Sequence, residues 1–230
     1  LEKISWQFDE TCAGDGLCLS KCPVEINTGD LVRHYRHASL PPSPSSMKSM
    51  LKMNGFFRNI PGYSFAMNLL SHTGITPKAH HLLPASAKEL PAFEEKGEKV
   101  IYFPSCINRA MESEGAWIND SIQALFKKAG FQAIIPTNIN NLCCGLPAKS
   151  KGREKESQQF VQDVSLALKV NPSLDVICEN SPCSHQMLEN ITDRTIYDAV
   201  AFFAKHLKRF KIKPQHEKVF IFPVCSTKNM

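Results

Sequence analysis

Val100-Ile-Tyr-Phe103-Pro104-Ser-Cys106 is a short apolar run that passes through Pro-Ser into a cysteine. Apolar residues flanked by charge on one side and proline on the other read as a buried strand, and Pro104 ends it because proline cannot continue a ladder. The same texture recurs downstream. The pattern predicts a helix over 114–129, with Ile118, Ile122, Leu125, Phe126 and Ala129 on one face and Gly130 as its stop. It predicts strands over 133–135 and 175–178, helices over 155–170 and 197–210, and a further strand beginning at 219–222. Strand and helix in alternation imply βαβ units and a parallel sheet.

Loops that leave parallel strands open on one rim of the sheet, where α/β folds place their ligands. The cysteines occupy those loops: Cys106 after the first strand, Cys143-Cys144-Gly145 after the second, Cys178 and Cys183 with the third. Residues far apart in sequence converge there, as a metal or cluster requires. Adjacent cysteines close a disulfide with each other only under strain, but they can bridge metal ions, and Gly145 lets the backbone approach closely. Cys106, Cys143, Cys144 and Cys183 are therefore the candidate metal ligands. Cys178 is expected to be the outlier, because side chains alternate along a strand and this one would turn into the sheet packing. A structural zinc site and a set of small buried rim residues are the competing readings.

Upstream, Cys12-Ala-Gly-Asp15-Gly-Leu-Cys18-Leu-Ser-Lys-Cys22-Pro23 has the C-x2-C-x2-C-x3-C-P spacing of a bacterial-type ferredoxin, with Asp15 at one ligand position. Short spacings converge thiolates from a tight turn, and the last Cys reaches a neighbouring cluster. Cys12, Asp15 and Cys18 are read as ligands of one cubane and Cys22 as a ligand of a second. The next cysteine is Cys106, so the complementary ligands are expected upstream on a longer polypeptide or on a partner, and the 230 residues are read as a fragment. Asp15 has three open roles: a carboxylate ligand to the fourth iron of a 4Fe-4S cluster, the mark of an empty corner that leaves 3Fe-4S, or a cap on the turn. Oxygen holds iron less firmly than thiolate, so this corner is the labile one. A helix over 26–36 follows, capped by Asn27 or Thr28, with Leu31, Val32 and Tyr35 on one side.

Nine cysteines, an odd number, without a signal-peptide pattern, argue for a reducing compartment in which thiols serve metal or redox chemistry. The 43% hydrophobic content suits a packed core. The longest apolar runs, at 199–204 and 219–224, fall far short of the ~18 residues a membrane helix needs, which leaves peripheral contact at most. The net charge of +5 is spread over helix faces (Lys127, Lys128, Lys205, Lys208, Arg209) and around Lys149, Lys151 and Arg153. It lacks the aromatic interleaving of a nucleic-acid platform. His185 lies beside Cys183 and carries no stronger signal than an exposed loop histidine. No FAD fingerprint and no acid–base pair for hydride chemistry stands in the sequence, so the chain alone is read as non-catalytic.

With Cys143-Cys144-Gly145 in place, the downstream domain resembles the cysteine-rich CCG domain of heterodisulfide reductase and of glycolate oxidase iron-sulfur subunits. The resemblance maps onto Cys106, Cys143, Cys144 and Cys183. Asn180 stands where the family has the first Cys of its terminal C-x2-C, and Cys178 lies two residues earlier. The order of segments, with "TCAGDGLCLSKCPVEINTG" and "NSPC", resembles the C-terminal iron-sulfur region of bacterial FAD-linked D-lactate or D-2-hydroxyacid dehydrogenases. It implies an α-helical ferredoxin-like segment followed by an α/β CCG domain with a mainly parallel sheet. Residues 1–40 would be half of a two-cluster module, 41–98 a proline-rich helical linker or strap, and 99–218 the CCG domain. Residues 219–230 would begin a second CCG repeat, since "FPVCSTKNM" echoes "FPSCINRAM" at 103–111 and matches Cys225 to Cys106.

The function so implied is an iron-sulfur electron-transfer module. FAD, on a preceding part of the polypeptide or on a subunit, would oxidise a 2-hydroxy acid, and the clusters would pass the electrons to a quinone or another acceptor. The implied location is the cytoplasm or the inner-membrane periphery. Two other classes stay open: a heterodisulfide-reductase-like thiol/disulfide redox domain, and a non-catalytic zinc-stabilised interaction module.

Overall fold

A computed structural model describes residues 11–14, 16–39, 89–110 and 117–213, with the isolated positions 6, 87, 216, 218 and 220. Asp15, all of the 41–86 stretch, Cys225 and the strand expected at 219–222, position 220 apart, lie outside the described residues.

Four short strands form one parallel sheet: β1 (Glu98–Tyr102), β2 (Phe131–Ile134), β3 (Val176–Cys178) and β4 (Ile196–Asp198), in the order β2-β1-β3-β4. Val100 pairs with Ala133, Tyr102 with Ile177, and Cys178 with Asp198. The chain steps outward from β1 to β2, then crosses back over β1 to β3. At such a reversal the loops leaving β1 and β3 part in opposite directions and open a crevice.

Alternation along each strand sorts the core into two layers. Ile101, Val176, Cys178 and Ile196 face Val161, Val164 and Leu168 of α5 (Glu154–Leu168) and Met187 of α6 (Ser181–Asn190). Val100, Tyr102 and Ile177 face Ile122 and Phe126 of α3 (Ile118–Ala129) and Phe202 and Phe203 of α7 (Ala199–Lys205). Phe126 packs edge-on to Tyr102 at 5.6 Å and against Phe203 at 5.2 Å. Each such ring is worth about 1.5–3 kcal/mol of burial. The layers hold the sheet from both sides and leave its carboxyl edge as the place where loops gather.

The expected alternation holds, with shifted boundaries. The helix ending at Gly130 does so in the left-handed region (φ 73°). The helix expected over 26–36 runs as α1 (Thr28–Ser39), and Asn27 Oδ1 accepts the Asp30 N–H at 3.2 Å. One expectation fails: 197–210 is not a single helix. Ile196–Asp198 is a strand whose ladder begins with Val176 N–H donating to Thr195 O at 3.0 Å, and Asp198 then caps α7 by accepting from Val200 N–H at 2.9 Å. Three residues are too short a run for periodicity to separate strand from helix.

Candidate metal centre at the strand ends

Each of the first three strands delivers cysteine to the carboxyl edge. After β1, Phe103-Pro104-Ser105 leads into α2 (Cys106–Ala110), of which Cys106 is the first residue. After β2, a tight 3-10 turn over Ile139–Asn141 returns the chain so that Cys143 and Cys144 precede the short α4 (Leu146–Ser150). Gly145 lies between them in the left-handed region (φ 86°), and a Cβ there would stand 2.6 Å from the Ser157 carbonyl of α5. Only glycine fits that conformation and that approach. Cys178 ends β3, and Cys183 sits in the first turn of α6.

The sulfurs form a string. Cys106 Sγ lies 3.7 Å from Cys143 Sγ, and Cys144 Sγ lies 3.2 Å from Cys183 Sγ. Cys143 and Cys144 are adjacent in the chain and so join the two pairs, and Cys178 packs in one buried cluster with Cys144 and Cys183. All five are buried. Cys178 lies in the sheet packing, as strand alternation leads one to expect, with its Sγ directed to Asn180 O at 3.7 Å and Glu179 Oε2 at 3.9 Å, and the same buried cluster holds Cys144 and Cys183. It shares the face of Val176, which α6 covers, and Cys183 hangs from the first turn of that helix. At the end of β3 the packing face and the rim face coincide. Among the described residues no three Cys, His, Asp or Glu side chains are grouped so as to hold a single metal ion. The contacts are pairwise, Cys106 with Cys143 and Cys144 with Cys183.

Electrostatics differentiates the thiols. The neighbouring thiols of Cys143 and Cys183 favour the ionised form of Cys144 and hold it down at about 5 despite its burial. The Cys106 thiol pulls Cys143 down, but the neighbouring Cys144 thiol and burial outweigh that and leave it at about 12. Cys106 is pushed up by its bond to Cys143 and by burial, and Cys183 by the neighbouring thiols of Cys144 and Cys178 and by burial. Ionisation is thus favoured at Cys144 over Cys106, Cys143 and Cys183.

Two residues that sequence reasoning missed frame the thiols. Arg109, 5% exposed, donates from Nε to Pro104 O at 2.9 Å, from Nη2 to Leu142 O at 2.5 Å, and from Nη1 to Ile139 O. One guanidinium fork thereby ties the loop carrying Cys106 to the loop carrying Cys143 and Cys144, and its charge favours the thiolate of Cys106. Glu179 Oε1 accepts from Ser105 N–H (2.8 Å), Ser105 Oγ (2.7 Å) and Asn108 Nδ2 (2.9 Å), which ties the loop after β3 to the loop after β1. Beneath it, Tyr102 donates to Asn119 at 2.6 Å. A signal for Arg109 existed: it stands three residues after Cys106, as Lys228 stands three after Cys225 in the echoed motif. His185 turns along α6 toward Glu189, 3.6 Å away.

The N-terminal cysteines are arranged differently. Cys12 Sγ accepts from Gly14 N–H and Cys22 Sγ from Ile26 N–H, each at 3.3 Å. Cys18, exposed, shares a 2.7 Å bond with Thr28 Oγ1, and that bond lowers its thiol below the ordinary value. Each thiol is satisfied locally, and among the described residues the thiol–thiol contacts all belong to the rim set.

Among the described residues no helix is long and apolar enough to cross a membrane. No curated protein matches the chain, and no solved structure does. Residues 100–188, which run from within β1 through most of α6 and include all five rim cysteines, match the family model of the cysteine-rich domain named CCG.

Proposed function

We propose that the rim holds an iron-sulfur cluster and that the chain is the electron-transfer module of a flavin-linked 2-hydroxyacid dehydrogenase. The observation that carries the cluster reading is the string of five buried thiols. The vicinal pair divides its partners, Cys143 toward Cys106 and Cys144 toward Cys183, so the ligand set is spread along an edge. Such a spread suits a core of several metal ions better than one tetrahedral ion. The donors are all sulfur, the choice of iron-sulfur chemistry.

Cys106, Cys143, Cys144 and Cys183 would hold the core, with Cys178 as a fifth donor in place of the cysteine that Asn180 replaces. The cluster, when bound, supplies one-electron chemistry. Arg109 keeps two ligand loops in register and offsets negative charge. Glu179 does the same mechanical work for the third loop. Cys12, Cys18 and Cys22, with Asp15, would serve a ferredoxin-type cluster or pair completed by ligands from elsewhere. FAD on a neighbouring domain and a quinone or other acceptor are the partners this reading calls for.

Anaerobic reconstitution with iron and sulfide tests the cluster. The reading expects bound iron and sulfide that disappear from the rim in Cys143→Ser and Cys144→Ser variants. The dehydrogenase context is tested by joining the chain to its flavoprotein partner: the rim iron should be reduced when a D-2-hydroxy acid is added. Oxidation of the chemically reduced rim centre by an added disulfide, which takes two electrons and two protons to become two thiols, would instead favour thiol/disulfide chemistry.

A further inference from the structure

The short helix α4 lies between the rim cysteines and the N-terminal segment. Its amino end follows Cys144-Gly145 directly, and Ala148 packs with Cys106, Cys143 and Phe160 in one buried cluster. Lys149 reaches α6, the helix of Cys183, through an ion pair with Glu189 at 3.1 Å. The other end meets the N-terminal segment. Arg36 of α1, 3% exposed, donates from Nη1 to Ser150 O and from Nη2 to Cys12 O at 2.6 Å. His37 Nδ1 lies 3.0 Å from Gly152 O.

Two glycines make this seam close. Gly152 is in the left-handed region (φ 73°), and a Cβ on it would stand 2.4 Å from Arg33 O and 2.7 Å from His37 N. A Cβ on Gly14 would stand 3.0 Å from both Arg36 Nη1 and Ser150 O. The backbone of the turn after α4 thus lies directly on α1, with a buried guanidinium linking it to the carbonyl of Cys12. A buried cation held by backbone oxygens of both partners is costly to separate, because each oxygen is then left unpaired. At ~1.5 Å per residue, α4 spans only about 8 Å from the vicinal cysteines to this seam.

We propose that α4 couples the two cysteine sets, with Arg36 as the positioning residue, so that metal loading at the rim tightens the docking of the Cys12 loop and docking in turn steadies the rim. The proposal rests on reading the rim as a metal centre. Loading fixes Cys143 and Cys144, hence Gly145 and the start of α4, and a five-residue helix packed at both ends moves as one piece. Coupling of this kind is reciprocal.

The test uses the chain with Cys12, Cys18 and Cys22 replaced by serine, so that only the rim takes up iron and sulfide. Hydrogen–deuterium exchange is followed over residues 28–39, loaded against metal-free. Loading is expected to slow exchange there by about fivefold or more, the low end of coupling between sites. In Arg36→Met that effect vanishes while rim iron at saturation is unchanged, and Arg36→Lys recovers part of it. The proposal is overturned if residues 143–152 gain protection on loading while 28–39 do not, or if Arg36→Met keeps the full effect. A rim that takes up no metal counts against the proposed function, and the metal-free arm then decides the coupling. In the wild-type background Arg36→Met should speed alkylation of Cys143 and Cys144 about fivefold, and an unchanged rate overturns the coupling. Should Arg36→Met not fold, Arg36→Lys carries both arms, with a smaller change of the same sign.

Discussion

Replacing Arg109 with methionine should cost the metal-free domain about 3 kcal/mol. The guanidinium is 5% exposed and donates to the carbonyls of Pro104, Ile139 and Leu142. Three hydrogen bonds from a charged donor would contribute about 7 kcal/mol at the middle of their usual range. Burial of the cation takes back roughly half, since the ion gives up its hydration for three neutral acceptors. That same burial holds the group below the usual arginine range. Methionine keeps most of the apolar stem but leaves three carbonyls unpaired at about 1 kcal/mol each, which arrives at the same figure. Lysine, able to reach one acceptor, should lose about 2 kcal/mol. Urea unfolding of the reduced, metal-free protein followed by tryptophan fluorescence measures this as a lower midpoint with an unchanged slope. Such a loss is a large part of the ~5–15 kcal/mol typical of a domain. A methionine variant within ~0.5 kcal/mol of wild type would refute the view that this fork ties the ligand loops together.

Other consequences are equally direct. Cys178→Ser should lower rim iron after reconstitution if Cys178 serves as the fifth donor, because it packs in one buried cluster with Cys144 and Cys183; full loading would leave Cys178 in the packing role its strand position suggests. Metal uptake at the rim should strengthen as pH rises: Cys106, Cys143 and Cys183 are held above the ordinary thiol value and must give up protons to bind, whereas Cys144 is held down at about 5. With three such protons displaced, affinity should climb on the order of three log units per pH unit near neutrality, and a chelator competition showing no pH dependence would contradict the electrostatics. Gly145→Ala should destabilise the domain by about 2 kcal/mol or more, read by thermal or urea unfolding, since it adds left-handed strain to a Cβ placed 2.6 Å from the Ser157 carbonyl.

The parallel sheet was legible because its strands are apolar runs separated by helical periodicity, and the cysteines after three of them named the rim. The vicinal pair and its glycine stood out for the same reason: short spacings carry information. Alternation placed Cys178 in the sheet packing, but it fixes only which residues share a face and gave no sign that Cys144 and Cys183 pack in the same cluster. Arg109 escaped notice because its role depends on carbonyls at Ile139 and Leu142, some thirty residues away, and backbone acceptors leave no mark in a sequence. The strand at Ile196–Asp198 was hidden by its length, with the apolar helix Ala199–Lys205 directly behind it.

The central claim is that the five rim thiols hold an iron-sulfur core. Iron and acid-labile sulfide per chain, measured after anaerobic reconstitution of the chain with Cys12, Cys18 and Cys22 changed to serine, test it most directly. The account predicts stoichiometric iron and sulfide with broad brown visible absorption, all lost when Cys143 and Cys144 are also changed to serine. A colourless protein that retains zinc, or that takes up no iron while its rim thiols stay reduced, would contradict it.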